Sequence, residues 1–222
     1  TLSDTESHHC IHVLRNNIGD EIIVLDGAGG EYLCQIIECR KNEVIAKRIK
    51  ATNFPKETNL SHLIISPIKS QDRIEWLIEK SIEIGVSKIS FIKTARTERS
   101  KLKMGRINKI AISAMKQSKQ HYLPEISDIC LFDSILNSID EDERYIAHLN
   151  NEMPKRHLVH CYKGRTSVCI LIGPEGDFTP EEVDAAINLD FTPVTLGSST
   201  LRTETAGIHA ISILNTINES RS

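Results

Sequence analysis

Two short segments near the C-terminus concentrate the residue types that chemistry needs. Gly173-Pro174-Glu175-Gly176-Asp177 follows the most apolar run of the chain, Val168–Ile172. Leu196-Gly197-Ser198-Ser199-Thr200-Leu201-Arg202-Thr203-Glu204-Thr205-Ala206 follows the short apolar stretch that begins at Val194. Glycines let backbone approach a ligand closely and expose N–H groups, and proline fixes one dihedral. A helix start needs a single capping hydroxyl, for which Thr203 suffices, not this assembly of Ser, Thr, Arg and Glu. Loops at the carboxyl ends of parallel strands are where open α/β sheets hold ligands. Two such loops imply one shared pocket.

Other constellations invite chemistry less well. Asp26-Gly27-Ala28-Gly29-Gly30 follows a strand-like run as a phosphate-binding turn would, but a β-rich run rather than a helix comes next, so a hairpin fits better. His8 and His12 share a helix face at i, i+4 spacing, yet no second ligand pair supports a metal site. The six cysteines have no CxxC spacing, which argues against a zinc ribbon or a disulfide framework.

The elements that position these loops follow from periodicity. His8–Arg15 reads as a short helix with Cys10, Ile11, Val13 and Leu14 on its apolar side. Runs at 21–25, 32–39 and 44–49, separated by turn residues including Lys41-Asn42, read as an antiparallel β unit. Residues 52–59 lack periodicity and form the linker. Beyond Ser61 strands alternate with helices: strands at 63–66, 89–93, 145–149, 168–172 and 194–196, and helices at 72–84, 106–120, from Thr179, and 203–217. Gly85 caps the first of these helices, and Thr179-Pro180-Glu181-Glu182 opens another as a capping box. Alternation of this kind implies a largely parallel sheet covered on both faces. The fold class is α/β: a small β domain over 1–58 and an α/β domain over 61–222.

Composition narrows the setting. The longest apolar run is the five residues Val168–Ile172, against roughly 20 for a membrane span. With no basic start followed by an apolar stretch, the expected location is cytoplasmic. The net charge of −3 conceals a segregation: residues 69–121 carry +8 and residues 122–222 carry −9. Such a basic block is either a solvated face or a polyanion footprint, because clustered Lys and Arg gain by releasing counterions from phosphates.

The two C-terminal loops, "LIGPEGDFTPEE" and "LGSSTLRTETA", closely resemble the 16S ribosomal RNA (uracil-N3)-methyltransferase family of the SPOUT class. "HHCIHVLRNNIGDEIIVLDG" is similar to that family's N-terminal PUA-like RNA-binding domain, "EKSIEIGVSKI" to its first SPOUT helix and strand, and "ISAMKQS…LPEI" to its basic middle. Asp177 stands where relatives commonly have a second glycine. The resemblance implies a small PUA-like β-barrel, its opening strand missing from this sequence, followed by a domain whose last strands form a trefoil knot. It implies methylation of a uridine N3 in 16S rRNA of the small ribosomal subunit, with S-adenosylmethionine as cofactor, S-adenosylhomocysteine as product and no metal. It implies a homodimer, with Met115, Ile211 and Leu214 on apolar helix faces in either core or interface.

On the same ground the cofactor falls against Leu149, Ile172, Gly173, Gly176, Leu196, Gly197, Leu201, Arg202, Thr203, Thr205 and Ala206. Arg202 is assigned to stabilise the developing uracil anion, unless it instead pairs with Glu175 to brace the two loops. Glu204 or a loop hydroxyl is assigned to orient it or relay the N3 proton. RNA contacts are assigned to Arg15 and to Lys93, Arg96, Arg99, Lys101, Lys103, Lys116 and Lys119. Rival readings are a SPOUT enzyme for another RNA and a non-catalytic RNA-binding assembly factor.

Overall fold

Asp26 closes the first hairpin of the chain. In the computed structural model, which describes residues 1–40, 43–56, 58, 60–149, 154–164 and 167–221, its Oδ1 accepts the N–H groups of Ala28 and Gly30, both at 2.8 Å. Strand β1 (Glu21–Leu25) therefore turns back antiparallel into β2 (Gly30–Arg40), and β2 pairs antiparallel with β3 (Glu43–Asn53). The glycine-rich stretch is a hairpin with no helix behind it. The three strands lie in the order β1-β2-β3, the antiparallel character expected of a PUA-like unit; Lys41 and Asn42, expected as the second turn, lie outside the described residues.

The N-terminal helix differs from the sequence expectation. Helix α1 (Asp4–His8) starts at a Ser3 cap, whose Oγ accepts the Glu6 N–H, and continues into a π-helical turn over His9–Val13. That wider turn breaks the 3.6-residue period. Cys10 alone of the expected apolar side is fully buried, against Ile36 and Val44, while Val13 and Leu14 are exposed. The linker is also shorter than expected. Strand β3 runs to Asn53, and the Phe54 N–H still donates to Gly29 O at 2.9 Å; Glu57 and Asn59 lie outside the described residues. The chain divides into two units, Thr1–Lys56 and Glu57–Ser222.

The second unit is a seven-stranded parallel sheet built from β4 (Leu60–Ile65), β5 (Lys88–Lys93), β6 (Glu125–Leu131), β7 (Glu143–Ala147), β8 (Arg156–His157), β9 (Ser167–Ile172) and β10 (Thr192–Thr195). The strand order is β6-β5-β4-β9-β7-β10-β8. Strand β10 enters between β7 and β8, two strands that precede it and follow one another, as a knotted SPOUT sheet requires. Helices α2 (Gln71–Ile84), α3 (Met104–Gln117), α4 (Phe132–Leu136), α5 (Leu158–Cys161), α6 (Pro180–Ile187) and α7 (Thr203–Glu219) connect and cover the strands. Gly85 ends α2 at φ 102°, and the Thr179–Glu182 capping box opens α6 as its sequence dictates.

Alternation along the strands sends side chains to two cores. Ile64, Ile92, Ile146 and Leu171 pack with Phe132 and Leu136 of α4 and Val183 and Ala186 of α6. On the other face α7 sits close to β4 and α2 because Gly207 has no side chain: a Cβ there would stand 2.9 Å from Ile65 Cδ1 and 3.2 Å from Leu77 Cδ1. Met115, Ile211 and Leu214 are buried within the chain itself. Strand β6 was not apparent from the sequence. It pairs only with β5, at the sheet edge, and Ser127 and Asp128 interrupt its apolar run.

Candidate active site

Strands β7, β9 and β10 are neighbours in the sheet, so their C-terminal loops meet. A cavity of about 290 Å³ opens there. Its floor is apolar, from Ala147, Ile172, Val194, Leu196 and Leu201, and its rim is polar, from Glu175, Asp177, Ser199, Thr200 and Arg202. That is the make-up of a small-molecule site: apolar walls with a few convergent polar groups. Gly197, at φ 142°, presents open space where a Cβ would stand.

The loops are fastened to one another by named bonds. Asp177, itself at φ 62°, takes the Leu149 N–H on its Oδ2 at 2.8 Å, tying the β9 loop to the end of β7. His209 Nε2 of α7 donates to Leu196 O at 3.1 Å, and Thr195 Oγ1 bridges Gly197 N and O at 3.2 and 2.8 Å. Glu182 serves two loops: Oε2 accepts the Thr179 N–H, and Oε1 accepts the Ala95 N–H at 2.7 Å. Beside it Arg96 donates to Gly176 O at 2.5 Å and to Phe178 O at 3.4 Å. The loop after β5 is thereby pinned to the loop after β9.

Most residues assigned to the cofactor from sequence come together here: Leu149, Ile172, Gly173, Leu196, Gly197, Leu201, Arg202, Thr203 and Ala206 all line the cavity. Gly176 and Thr205 do not. Gly176 turns toward Arg96, whose Cδ lies 3.2 Å from where its Cβ would be. Arg202, not Thr203, is the N-cap of α7; its exposed side chain makes no ion pair with Glu175 among the described residues. Glu204 is buried and pairs with Arg73 of α2, Nε to Oε1 at 3.6 Å, off the cavity wall. That partner satisfies its charge and leaves the loop hydroxyls of Ser199 and Thr200 beside Arg202.

One wall residue was not anticipated. His148, between Ala147 and Leu149, is 5% exposed, and among the described residues neither ring nitrogen has a hydrogen-bond partner. Burial pushes its pKa below the ordinary 6.5, the Lys155 charge adds to this, and Asp177 opposes it in part. Lys155 Nζ donates to the His148 carbonyl at 2.8 Å. A lone His at a strand end is the only sequence signal it offers. A different histidine carries a triad-like arrangement: His62 Nδ1 lies 2.5 Å from Glu141 Oε1 and Nε2 lies 2.8 Å from Ser90 Oγ. His62 and Ser90 are buried, and none of the three is on the cavity wall, so this network is internal bracing.

The basic candidates separate into two groups. Arg96 and Arg99 bond within the chain: Arg96 to the carbonyls given above, and Arg99 to Lys69 O at 2.7 Å, to Lys101 O at 3.0 Å and to Gln71 Oε1. Lys93, Lys101, Lys103, Lys116 and Lys119 are exposed around the end of β5 and along α3, and Arg15 is exposed in the first unit at φ 57°. The rings of His8 and His12 meet at a tilt of 47° with centroids 4.6 Å apart.

A parallel sheet with a ligand pocket among its last strand ends, preceded by an antiparallel unit, is the build of a SPOUT-class methyltransferase with a PUA-like domain. The family described as RNA methyltransferase domain matches residues 55–215, and that described as RNA methyltransferase PUA domain matches residues 2–47. Ribosomal RNA small subunit methyltransferase E of Bacillus subtilis is 30% identical, over 97% of this chain and 89% of its own. A probable rRNA-methyltransferase from Porphyromonas gingivalis superposes with a TM-score of 0.93 at 34% identity, covering 100% of this chain and 94% of that one. The ribosomal RNA small subunit methyltransferase E of Neisseria gonorrhoeae, solved bound to S-adenosyl methionine, gives 0.87 at 28% identity, covering 97% and 90%. The chain belongs to the RNA methyltransferase family whose curated members are called ribosomal RNA small subunit methyltransferase E.

Proposed function

We propose that the chain is an enzyme that methylates N3 of one uridine in 16S ribosomal RNA, with S-adenosylmethionine as the methyl source. The observation that carries this reading is the cavity at the ends of β7, β9 and β10, together with membership of the family. The residues present fit that cofactor. An apolar floor suits a purine, the side-chain-free edge at Gly197 admits close approach, and His148 holds polar atoms that no other described residue claims. When bound, S-adenosylmethionine supplies a methyl group already activated on a sulfonium.

The protein's task is then alignment and charge control. Leu149, Gly173, Leu196 and Thr203 hold the ligand at the strand ends. Uracil N3 carries a proton that must leave at or before attack, and the negative charge so released spreads to the flanking carbonyl oxygens. Arg202, exposed at the rim, is placed to stabilise that charge. Ser199 and Thr200 are the hydroxyls able to pass the proton on, and Glu204 acts from behind by holding α2 to the first turn of α7 through Arg73. Lys93, Lys101, Lys103, Lys116 and Lys119 take phosphates, and Arg15 does so from the PUA-like unit; in this reading the domains are 1–58 for RNA and 61–222 for cofactor and chemistry. The enzyme works as a homodimer in the cytoplasm. Among the described residues no helix is long and apolar enough to cross a membrane.

The test is to incubate the protein with methyl-tritiated S-adenosylmethionine and either free 16S rRNA or assembled small subunits, then map reverse-transcriptase stops. An N3-methyl blocks Watson–Crick pairing and stops the transcriptase, whereas a ribose 2′-O-methyl leaves pairing intact. Label at one uridine with a matching stop is expected. Label without a stop, or no label on either substrate, would refute the assignment.

A further inference from the structure

His148 is a buried polar residue of the cavity wall whose partner the reading above does not name. The residue is 5% exposed, and neither ring nitrogen has a hydrogen-bond partner among the described residues. Leaving a buried donor and acceptor unmade is costly, so such a group takes its partner from a water or from a ligand. Its place is fixed from the main chain. Lys155 holds the His148 carbonyl, and Asp177 holds the next N–H, that of Leu149. The ring is thus presented by a braced strand end rather than by a free loop.

What it meets follows from charge and from the cavity's two halves. Burial and the Lys155 charge keep the ring neutral, so it offers one donor and one acceptor and no positive charge. A neutral ring tolerates a cationic sulfonium nearby, where a protonated one would repel it. His148 stands next to the apolar floor of Ala147, Ile172 and Val194, whereas the charged groups of the wall, Glu175, Asp177 and Arg202, come from the loops after β9 and β10. Adenine and ribose carry both donors and acceptors on groups without charge. We propose that the His148 side chain hydrogen-bonds the nucleoside half of the bound S-adenosylmethionine and is a binding residue of this site. The proposal rests on the cofactor reading given above.

Calorimetric titration of the full chain tests it with two ligands: S-adenosylmethionine, and 5′-methylthioadenosine, which keeps the nucleoside and lacks the amino-acid tail. His148→Phe, of similar size without polar atoms, is expected to weaken both by about tenfold, the value of one or two hydrogen bonds. His148→Gln, which keeps a donor and an acceptor, recovers part of the loss. A loss confined to S-adenosylmethionine overturns the proposal by moving the ring to the amino-acid half. Equal affinities in native and Phe proteins overturn it outright. If His148→Phe does not fold, the native protein still answers: long-range proton–nitrogen spectra, assigned by the signal absent from His148→Gln, must show the ring nitrogens shifting with 5′-methylthioadenosine, and static signals refute the contact. A native protein that binds neither ligand is a separate failure, that of the cofactor reading itself.

Discussion

Asp177 carries a side chain in a backbone conformation that favours glycine, and the structure assigns that choice a cost and a return. The cost is a residue with a Cβ at φ 62°, a conformation worth about 1 kcal/mol of strain for a non-glycine residue, somewhat less for Asp. The return is the 2.8 Å bond from the Leu149 N–H to Oδ2, a hydrogen bond to a charged group worth about 1.5–3 kcal/mol. Asp177→Ala loses the bond and keeps the strain, for a loss of about 2–3 kcal/mol. Asp177→Gly loses the bond but relieves the strain, for a loss of about 1–2 kcal/mol. At about 2–4 °C per kcal/mol for a chain of this size, Ala lowers Tm by about 7 °C and Gly by about 4 °C, with Asp177→Asn between Gly and native. Differential scanning calorimetry reads the order directly. Leu149 and Asp177 also line the cavity, so the same variants weaken S-adenosylmethionine severalfold in calorimetric titration. A Gly variant as stable as the native protein, or more so, would show that the strain outweighs the bond and would sink the argument.

Three further outcomes are expected. Arg202→Ala lowers single-turnover methylation by about a hundredfold or more while the S-adenosylmethionine Kd stays within about threefold; unchanged turnover removes Arg202 from the chemistry. Charge reversal at Lys101 and Lys103 weakens rRNA binding and flattens its salt dependence by about 0.7–0.9 per lost contact, whereas Arg96→Ala lowers Tm and leaves the salt slope alone; the opposite pattern in filter-binding and melting data would return Arg96 to the RNA. Burial raises the Glu141 pKa, but the His62 hydrogen bond and charge more than offset it, so it rests below the ordinary 4.5. The folded state therefore binds fewer protons than the unfolded, and this group's stabilisation is present above pH 4.5 and lost as the pH falls through the folded-state value. Melting curves from pH 7 to 3 should show Glu141→Gln less stable at neutral pH and converging with the native protein in acid; a constant difference contradicts the linkage.

The two loops could be read in advance because glycine, proline and clustered hydroxyls directly after an apolar strand leave few other uses for those residues. The Thr179–Glu182 box and the Asp26 hairpin were legible for the same reason: each is local, with its partner three or four residues away. What sequence could not reveal was the partner of a long-range group. Arg96 and Arg99 count toward the basic block exactly as a phosphate contact would count, though each is spent on backbone carbonyls about 80 and 30 residues away. Glu204 sits beside Arg202 in the chain but faces Arg73 across a helix packing. The isolated His148 carried no pattern, since its meaning lies in having no partner among the described residues, which only three dimensions display.

Charge segregation in the chain now has a geometric meaning. The acidic C-terminal segment builds the pocket, whose rim bears the carboxylates of Glu175 and Asp177. Those carboxylates attract a sulfonium cation and repel a phosphate. The basic segment supplies β5 and α3 with their exposed lysines, and Arg96 and Glu182 lock the loop after β5 onto the pocket loop. RNA backbone is therefore favoured along the β5–α3 side and disfavoured over the pocket mouth. In the function proposed above, such a field brings a base to the cavity by swinging it out of its strand, with its phosphates on the lysines. The bonds at Arg96 and Glu182 make the two surfaces one frame, so an error in placing the phosphate becomes an error in placing N3.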